Sequence, residues 1–164
     1  MFTIRQLLLF GHILFAMMWV GGIVFVGWGV FPVMKKLAIH TQRTFLTNFM
    51  KHTHRLFTML GFFVIVTGLL LATVFGPMSS LEQMMQTAYG QKVLFALGLA
   101  IFALLWGILF GYRHTRHMLK DDLAWEEAAA GNMQLLDRSF RKIMMIEAVE
   151  VLCFFILLYT MILF

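Results

Sequence analysis

One ionisable side chain, His12, lies inside an apolar segment, residues 9–28, whose composition is otherwise soluble in lipid. Trp19 follows His12 by seven residues, so both side chains share one face of a helix, which Gly22 continues. Gly21 and Gly22 carry no side chains, and a second helix or a flat ligand can therefore approach the backbone there. An ionisable residue at membrane depth is costly without a partner and indicates a functional site. We predict a functional site at His12, Trp19 and Gly22; the alternative is a neutral histidine hydrogen-bonded to a neighbouring helix.

The composition places the protein in the membrane class. Of its 164 residues 61% are hydrophobic, and the mean hydropathy is +0.85. Four apolar runs, at about residues 7–33, 56–75, 93–112 and 143–164, each reach the length of about 20 residues that crosses a bilayer. The sequence therefore predicts an all-α integral membrane four-helix bundle that forms a single domain over residues 1–164.

The distribution of lysine and arginine predicts the orientation of the bundle. Eleven of these residues lie in the connections on one side of the membrane, whereas Arg5 and Lys92 lie on the other. Because cationic loops stay in the cytoplasm, we predict a multi-pass protein of the cell inner or plasma membrane with both termini outside. The net charge of +5 follows from this topology and does not indicate nucleic-acid binding.

Depth in the membrane separates the candidate ligands. At about 1.5 Å of rise per residue, His12 lies about 10 to 12 Å to the outer side of the midplane and His54 about 15 Å to the inner side. Two imidazoles on one metal each lie about 2 Å from it, so His12 and His54 do not share a metal within one chain. Lys92 lies on the same side as His12, where it can pair with an anionic group.

Several ionisable residues lie towards the inner side. A second metal or haem site is one interpretation of the histidines there, and solvated surface histidines are the other. Glu147 and Glu150 are three residues apart on one face of the fourth run, where a carboxylate is expensive. They predict either an ion pair with Arg55 or Arg113, or a proton relay. The four inner histidines in question are His52, His54, His114 and His117.

Glycines predict where the helices pack closely. Gly61 and Gly68 of the second run share one face with His54, and Gly107 and Gly111 of the third run have the small-xxx-small spacing. These glycine faces also leave room for a homodimer.

Short motifs on all four runs resemble those of one membrane-protein superfamily. His12, Trp19 and the Gly21-Gly22 pair are similar to the first helix of the HemJ-type protoporphyrinogen oxidases and the related CopD-type copper-resistance membrane domains. The segment TAYGQK, residues 87–92, resembles the start of the third helix in both groups. Shorter similarities to the HemJ-type group are Arg55-Leu56 on the second run, and Phe140-Arg141 with Glu147-Ala148 on the fourth, the latter without that group's Asn and Pro.

The resemblance implies a membrane redox protein that binds b-type haem. In its HemJ-like form, such a protein takes electrons and protons from a porphyrinogen and passes them to quinone. The HemJ-type residues associated with activity match His12 and Lys92, which the resemblance therefore implies as catalytic. In this interpretation His12 ligates haem or takes a proton, Lys92 holds a carboxylate and Trp19 packs on the macrocycle.

Two other functions stay open at this point. A CopD-type copper-handling protein would collect Cu(I) with His12 and the outer methionines Met78, Met84 and Met85, because thioethers suit Cu(I). Methionine is also an adaptable packing residue, which is the simpler explanation of that cluster. The third possibility is a non-catalytic helical subunit of a larger membrane complex.

Overall fold

The computed structural model describes residues 3–162, and the regular secondary structure in that range is entirely helical. The helices are α1 (Ile4–Met34), α2 (Ile39–Ala72), α3 (Leu81–Gln86), α4 (Ala88–Leu119), α5 (Asp122–Ala129) and α6 (Gln134–Ile162). Within this range α1, α2, α4 and α6 are long and apolar enough to cross a membrane. The prediction of an all-α, four-helix membrane protein is therefore confirmed.

Each long helix extends beyond the apolar run that predicted it. Helix α2 begins at Ile39 rather than near residue 56, and its 34 residues span about 51 Å, more than the hydrocarbon core of a bilayer. The extra turns are amphipathic, and Gln42 and Leu46 are buried where they leave the bilayer. Residues 163 and 164, the predicted end of the fourth run, lie outside the described residues.

We call the half of the bundle that carries the eleven cations the inner half, and the opposite half the outer half. A hydrophobic cluster closes the inner end, where Trp125 of α5 packs with Phe140 and Met34. The indole of Trp125 donates to the carbonyl oxygen of Met118, and Arg43 forms an ion pair with Asp122. The connection before α6 is therefore a structured cap.

The membrane core contains a second cluster, centred on Trp19. Its ring packs edge-on against Phe154 of α6, with ring centroids 5.0 Å apart. A Cβ on Gly61 would lie 2.9 Å from Trp19 Cε2, and a Cβ on Gly68 would lie 3.0 Å from His12 Cε1. The predicted packing line on α2 is confirmed: α1 packs against both glycines, and Leu104 of α4 also contacts Gly61.

Two segments of the long helices are π-helical. They are Val26–Val30 within α1 and Gly107–Tyr112 within α4. A π-helical turn inserts a residue into the α-helical pattern and frequently occurs at functional sites.

Candidate functional site

A cavity of about 400 Å³ lies in the inner half between α1, α2, α4 and α6. Its volume is within the range of about 300 to 1,000 Å³ that is typical of ligand pockets. The lining is mostly apolar, with ring faces from Trp19, His54 and Tyr112 and carboxylates from Glu147 and Glu150. An apolar cavity with a few convergent polar groups is the arrangement expected of a ligand site.

Both π-helical segments contribute to the wall of this cavity. Gly27 and Trp28 line it from α1, and Gly107, Ile108 and Tyr112 line it from α4. The altered winding of the two helices therefore coincides with the cavity, as it does at many functional sites.

The two glycines of α4 make room for the two carboxylates of α6. A Cβ on Gly107 would lie 2.7 Å from Glu150 Oε2, and a Cβ on Gly111 would lie 2.7 Å from Glu147 Oε1. Neither distance leaves space for a methyl group. The small-xxx-small spacing on α4 therefore marks a close contact between helices, as predicted. The side chains that pack on these glycines are the two acidic residues of α6.

Glu150 is buried without a protein partner. Its exposed fraction is 4%, and Glu147 is half-buried one turn away. Within residues 3–162 neither carboxylate forms a hydrogen bond or an ion pair. The ion pair with Arg55 or Arg113 is therefore absent from the described structure, and the carboxylates face the cavity instead.

His54 lines the same cavity and stacks on Tyr112, with ring centroids 3.7 Å apart and an interplanar angle of 7°. His114 and His117 line a separate pocket, and His52 is exposed. Among the described residues no group of three or more His, Cys, Asp or Glu side chains is arranged to hold a metal ion. The inner histidines therefore do not converge on one centre.

His12 lies half-buried against α2 in the outer half. Its Nδ1 is 2.9 Å from the hydroxyl oxygen of Thr67, which donates its own proton to the carbonyl oxygen of Phe63 at 2.6 Å. Because the hydroxyl proton is directed at Phe63, we assign the ring proton of His12 to Nδ1, which leaves the lone pair on Nε2. Metal-ligating histidines also donate their second ring N–H to an acceptor, so this bond suits both a packed histidine and a metal ligand.

The other predicted cofactor residues occupy different positions. Trp19 is 2% exposed and lines the cavity, whereas His12 does not line it. A Cβ on Gly22 would lie 2.5 Å from Phe57 Cε1. The phenyl ring of Phe57 on α2 therefore occupies the space beside Gly22 that was expected to admit a second helix or a flat ligand. Lys92 is half-buried near the outer end of α4. The structure thus brings Trp19 and His54 to the cavity and leaves His12 and Lys92 in the outer half.

The outer methionines make packing contacts. Met78 and Met84 are buried, and the hydroxyl of Thr87 donates to the sulfur of Met78 at 3.8 Å. Met85 is exposed. These contacts match the packing interpretation of the cluster.

Neither Tyr112 nor the π-helical segments were predictable as parts of a site from the sequence. The glycines of each segment, Gly27 and Gly29 in α1 and Gly107 and Gly111 in α4, are the only local signal for them. Glycine spacing alone does not distinguish a π-helical turn from ordinary close packing, so the cavity was not predictable from it.

Comparisons with family models, with curated proteins and with solved structures found no match to this chain. The resemblance to HemJ-type and CopD-type proteins therefore stays a hypothesis. The fold and the site define a class: a multi-pass helical membrane protein with an acidic, aromatic-lined cavity in one half of its bundle.

Proposed function

We propose that this protein is a membrane redox protein that binds a tetrapyrrole, with a porphyrinogen as substrate in the inner cavity. The observation that carries the proposal is Glu150, a buried carboxylate that faces the cavity and has no partner within residues 3–162. A carboxylate in such surroundings is expensive, and a ligand with hydrogen-bond donors compensates for its lost hydration.

A porphyrinogen has the chemistry that this cavity requires. Its macrocycle is apolar and suits the aromatic walls formed by Trp19 and Tyr112. Its pyrrole N–H groups are donors for the carboxylates, and its propionates are anions that favour the cationic inner surface. Arg55 directly follows the lining residue His54 in the chain and supplies positive charge there.

In this proposal Glu147 and Glu150 accept protons from the substrate as it is oxidised. Each oxidation step removes a pair of electrons and a pair of protons from the porphyrinogen. One quinone that takes up the same electrons and protons becomes a quinol, so each step balances. The quinone is the acceptor class that the family resemblance implies.

His12 is the residue that would hold a b-type haem, because its Nδ1–H is anchored on Thr67 and its Nε2 keeps a lone pair. When bound, haem supplies one-electron transfer between substrate and acceptor. Thr67 orients the imidazole, and Lys92 stays the candidate partner of a propionate.

Absorption spectra and metal analysis test the redox assignment. The protein purified in mild detergent is expected to show a Soret band that shifts on reduction with dithionite, together with stoichiometric iron. Stoichiometric copper without a Soret band would favour the CopD-type function, and a protein with neither would contradict the haem assignment.

Porphyrin titration tests the cavity. Protoporphyrin, the product, is added to the purified protein and its fluorescence is followed. Glu150→Gln is expected to weaken binding about tenfold, because the amide replaces one acceptor oxygen of the carboxyl group with an NH₂ group that cannot accept a hydrogen bond. Glu126→Gln, an exposed residue of α5, is the matched control and should bind as the wild type does. Equal affinities of all three proteins would remove the cavity from the proposal.

A further inference from the structure

A second pocket, of about 220 Å³, lies between α4 and α6 at the inner surface. Arg113 and His117 line it from α4, where they are four residues apart and therefore on one face. Ser139 and Lys142 line it from α6, three residues apart and again on one face. Two neighbouring helices thus direct cationic side chains and a hydroxyl towards one space.

Among residues 3–162 no acidic side chain lines this pocket. The ion pairs within residues 3–162 are Lys35–Asp137 and Arg43–Asp122, and neither includes a lining residue. Arg113, His117 and Lys142 form no hydrogen bond or ion pair in this part of the chain. Like charges held together without a counter-charge repel one another, and a bound anion would relieve that repulsion.

His114 also lines the pocket, but its ring N–H is bonded within its own helix. Its Nδ1 lies 2.9 Å from the carbonyl oxygen of Phe110, so Nδ1–H is the donor in that bond and the imidazole is held on the wall of the pocket. The hydroxyl of Ser139 adds a neutral donor on the opposite wall. A tetrahedral oxyanion, with several acceptor oxygens, matches donors that converge from two sides.

The pocket lies at the boundary between the polar cap and the apolar surface of the bundle. One turn deeper on α4, Leu109 and Phe110 are exposed, and one turn deeper on α6, Met145 is exposed. A lipid whose phosphate occupies the pocket would lay its acyl chains on these side chains. Basic pockets between membrane helices on the cytoplasmic side are suited to anionic head groups.

We propose that this pocket is a phosphate-binding site, occupied by the phosphate of an anionic lipid head group or by free phosphate. The site adjoins the tetrapyrrole cavity, because Met118 and Ile143 line both, but its recognition chemistry does not depend on the proposed redox function. Its chemistry is recognition of a phosphate monoanion or diester by arginine, lysine and histidine donors.

The test uses the full chain purified in detergent and exposed to an equimolar mixture of phosphatidylglycerol and phosphatidylcholine, followed by native mass spectrometry of the retained lipids. Inorganic phosphate is titrated separately by calorimetry. The pocket variant is Arg113→Gln with Lys142→Gln. The matched control is Arg116→Gln with Lys120→Gln, which removes the same charge from exposed residues that do not line the pocket.

The pocket variant is expected to lose retained phosphatidylglycerol by about thirtyfold, because each cation near the membrane surface contributes about fivefold. The control variant should change by less than about twofold, since Arg116 and Lys120 do not line the pocket and do not converge with the other donors. A loss confined to inorganic phosphate supports the site and assigns free phosphate as its occupant. Equal losses in both double variants, or binding of neither probe to the wild type, would overturn the proposal.

Discussion

His12 in the outer half and Glu150 in the inner half are both ionisable side chains within membrane-spanning helices, but their surroundings differ. The His12 ring donates to the hydroxyl of Thr67 and packs against Gly68 of the facing helix. Glu150 lies over Gly107 at the wall of a cavity, without a partner within residues 3–162. Two ionisable residues within the membrane helices therefore carry different information: His12 is hydrogen-bonded within the fold, whereas Glu150 requires a ligand or water.

The largest expected effect concerns the outer half. His12→Ala should remove bound haem completely, because it deletes the imidazole nitrogen proposed as the ligand, whose ring Thr67 orients. The Soret absorbance per chain measures this directly. His40→Ala, which removes an exposed histidine of α2, should keep its full Soret absorbance. Full haem retention in His12→Ala would show that His12 is only a packing residue and would leave both ionisable residues without an assigned cofactor.

The next largest effect concerns the cavity in the inner half. Gly107→Leu should lower the free energy of unfolding by about 1 to 3 kcal/mol, because the new side chain meets the carboxylate of Glu150. It should also abolish porphyrin binding by filling the cavity. Gly98→Leu is the matched control on α4, since a Cβ there has no neighbour within 4 Å. Thermal unfolding in detergent distinguishes the two, and equal Tm values would contradict the contact.

Glu150→Leu should change the free energy of unfolding in the opposite direction from Gly107→Leu. Replacing an unpartnered buried carboxylate by an apolar side chain of similar size should raise the free energy of unfolding by about 1 to 2 kcal/mol. The same change should weaken porphyrin binding, which is the trade expected of a residue kept for function. Thermal unfolding and porphyrin titration of one preparation measure both effects. A lowered Tm would indicate that Glu150 has a stabilising partner and would remove the contrast with His12.

The smallest effect is expected at Thr67. Thr67→Val removes the acceptor of the His12 bond and should cost about 0.6 kcal/mol, the average for a hydrogen bond between membrane helices. Thr67→Ser keeps the hydroxyl and should behave as the wild type. The haem reduction potential should also shift in Thr67→Val and return in Thr67→Ser, because the bond orients the imidazole. An unchanged potential in both variants would make Thr67 a packing residue.

Much of the architecture was predictable from periodicity and composition. Runs of apolar residues predicted four membrane helices because each exceeds the thickness of the bilayer, and the spacing of His12 and Trp19 placed both on the face that packs against α2. The glycine spacings predicted two close contacts, which lie at Gly61–Gly68 and Gly107–Gly111. Helix ends were less predictable, since α2 continues through residues 39–55, which are too polar to belong to the apolar run that predicted the helix.

The chain by itself determined which residues are ionisable within the membrane and which helical face each one occupies, because the α-helical period converts spacing into direction. It did not determine which helix lies opposite that face. Only the tertiary structure decided that His12 is hydrogen-bonded to Thr67 and that Glu150 has no protein partner within residues 3–162. It alone also decided that two π-helical segments border a cavity. The physical reason is that hydrogen bonding and cavity formation depend on contacts between distant segments, and those contacts are set by how the helices pack.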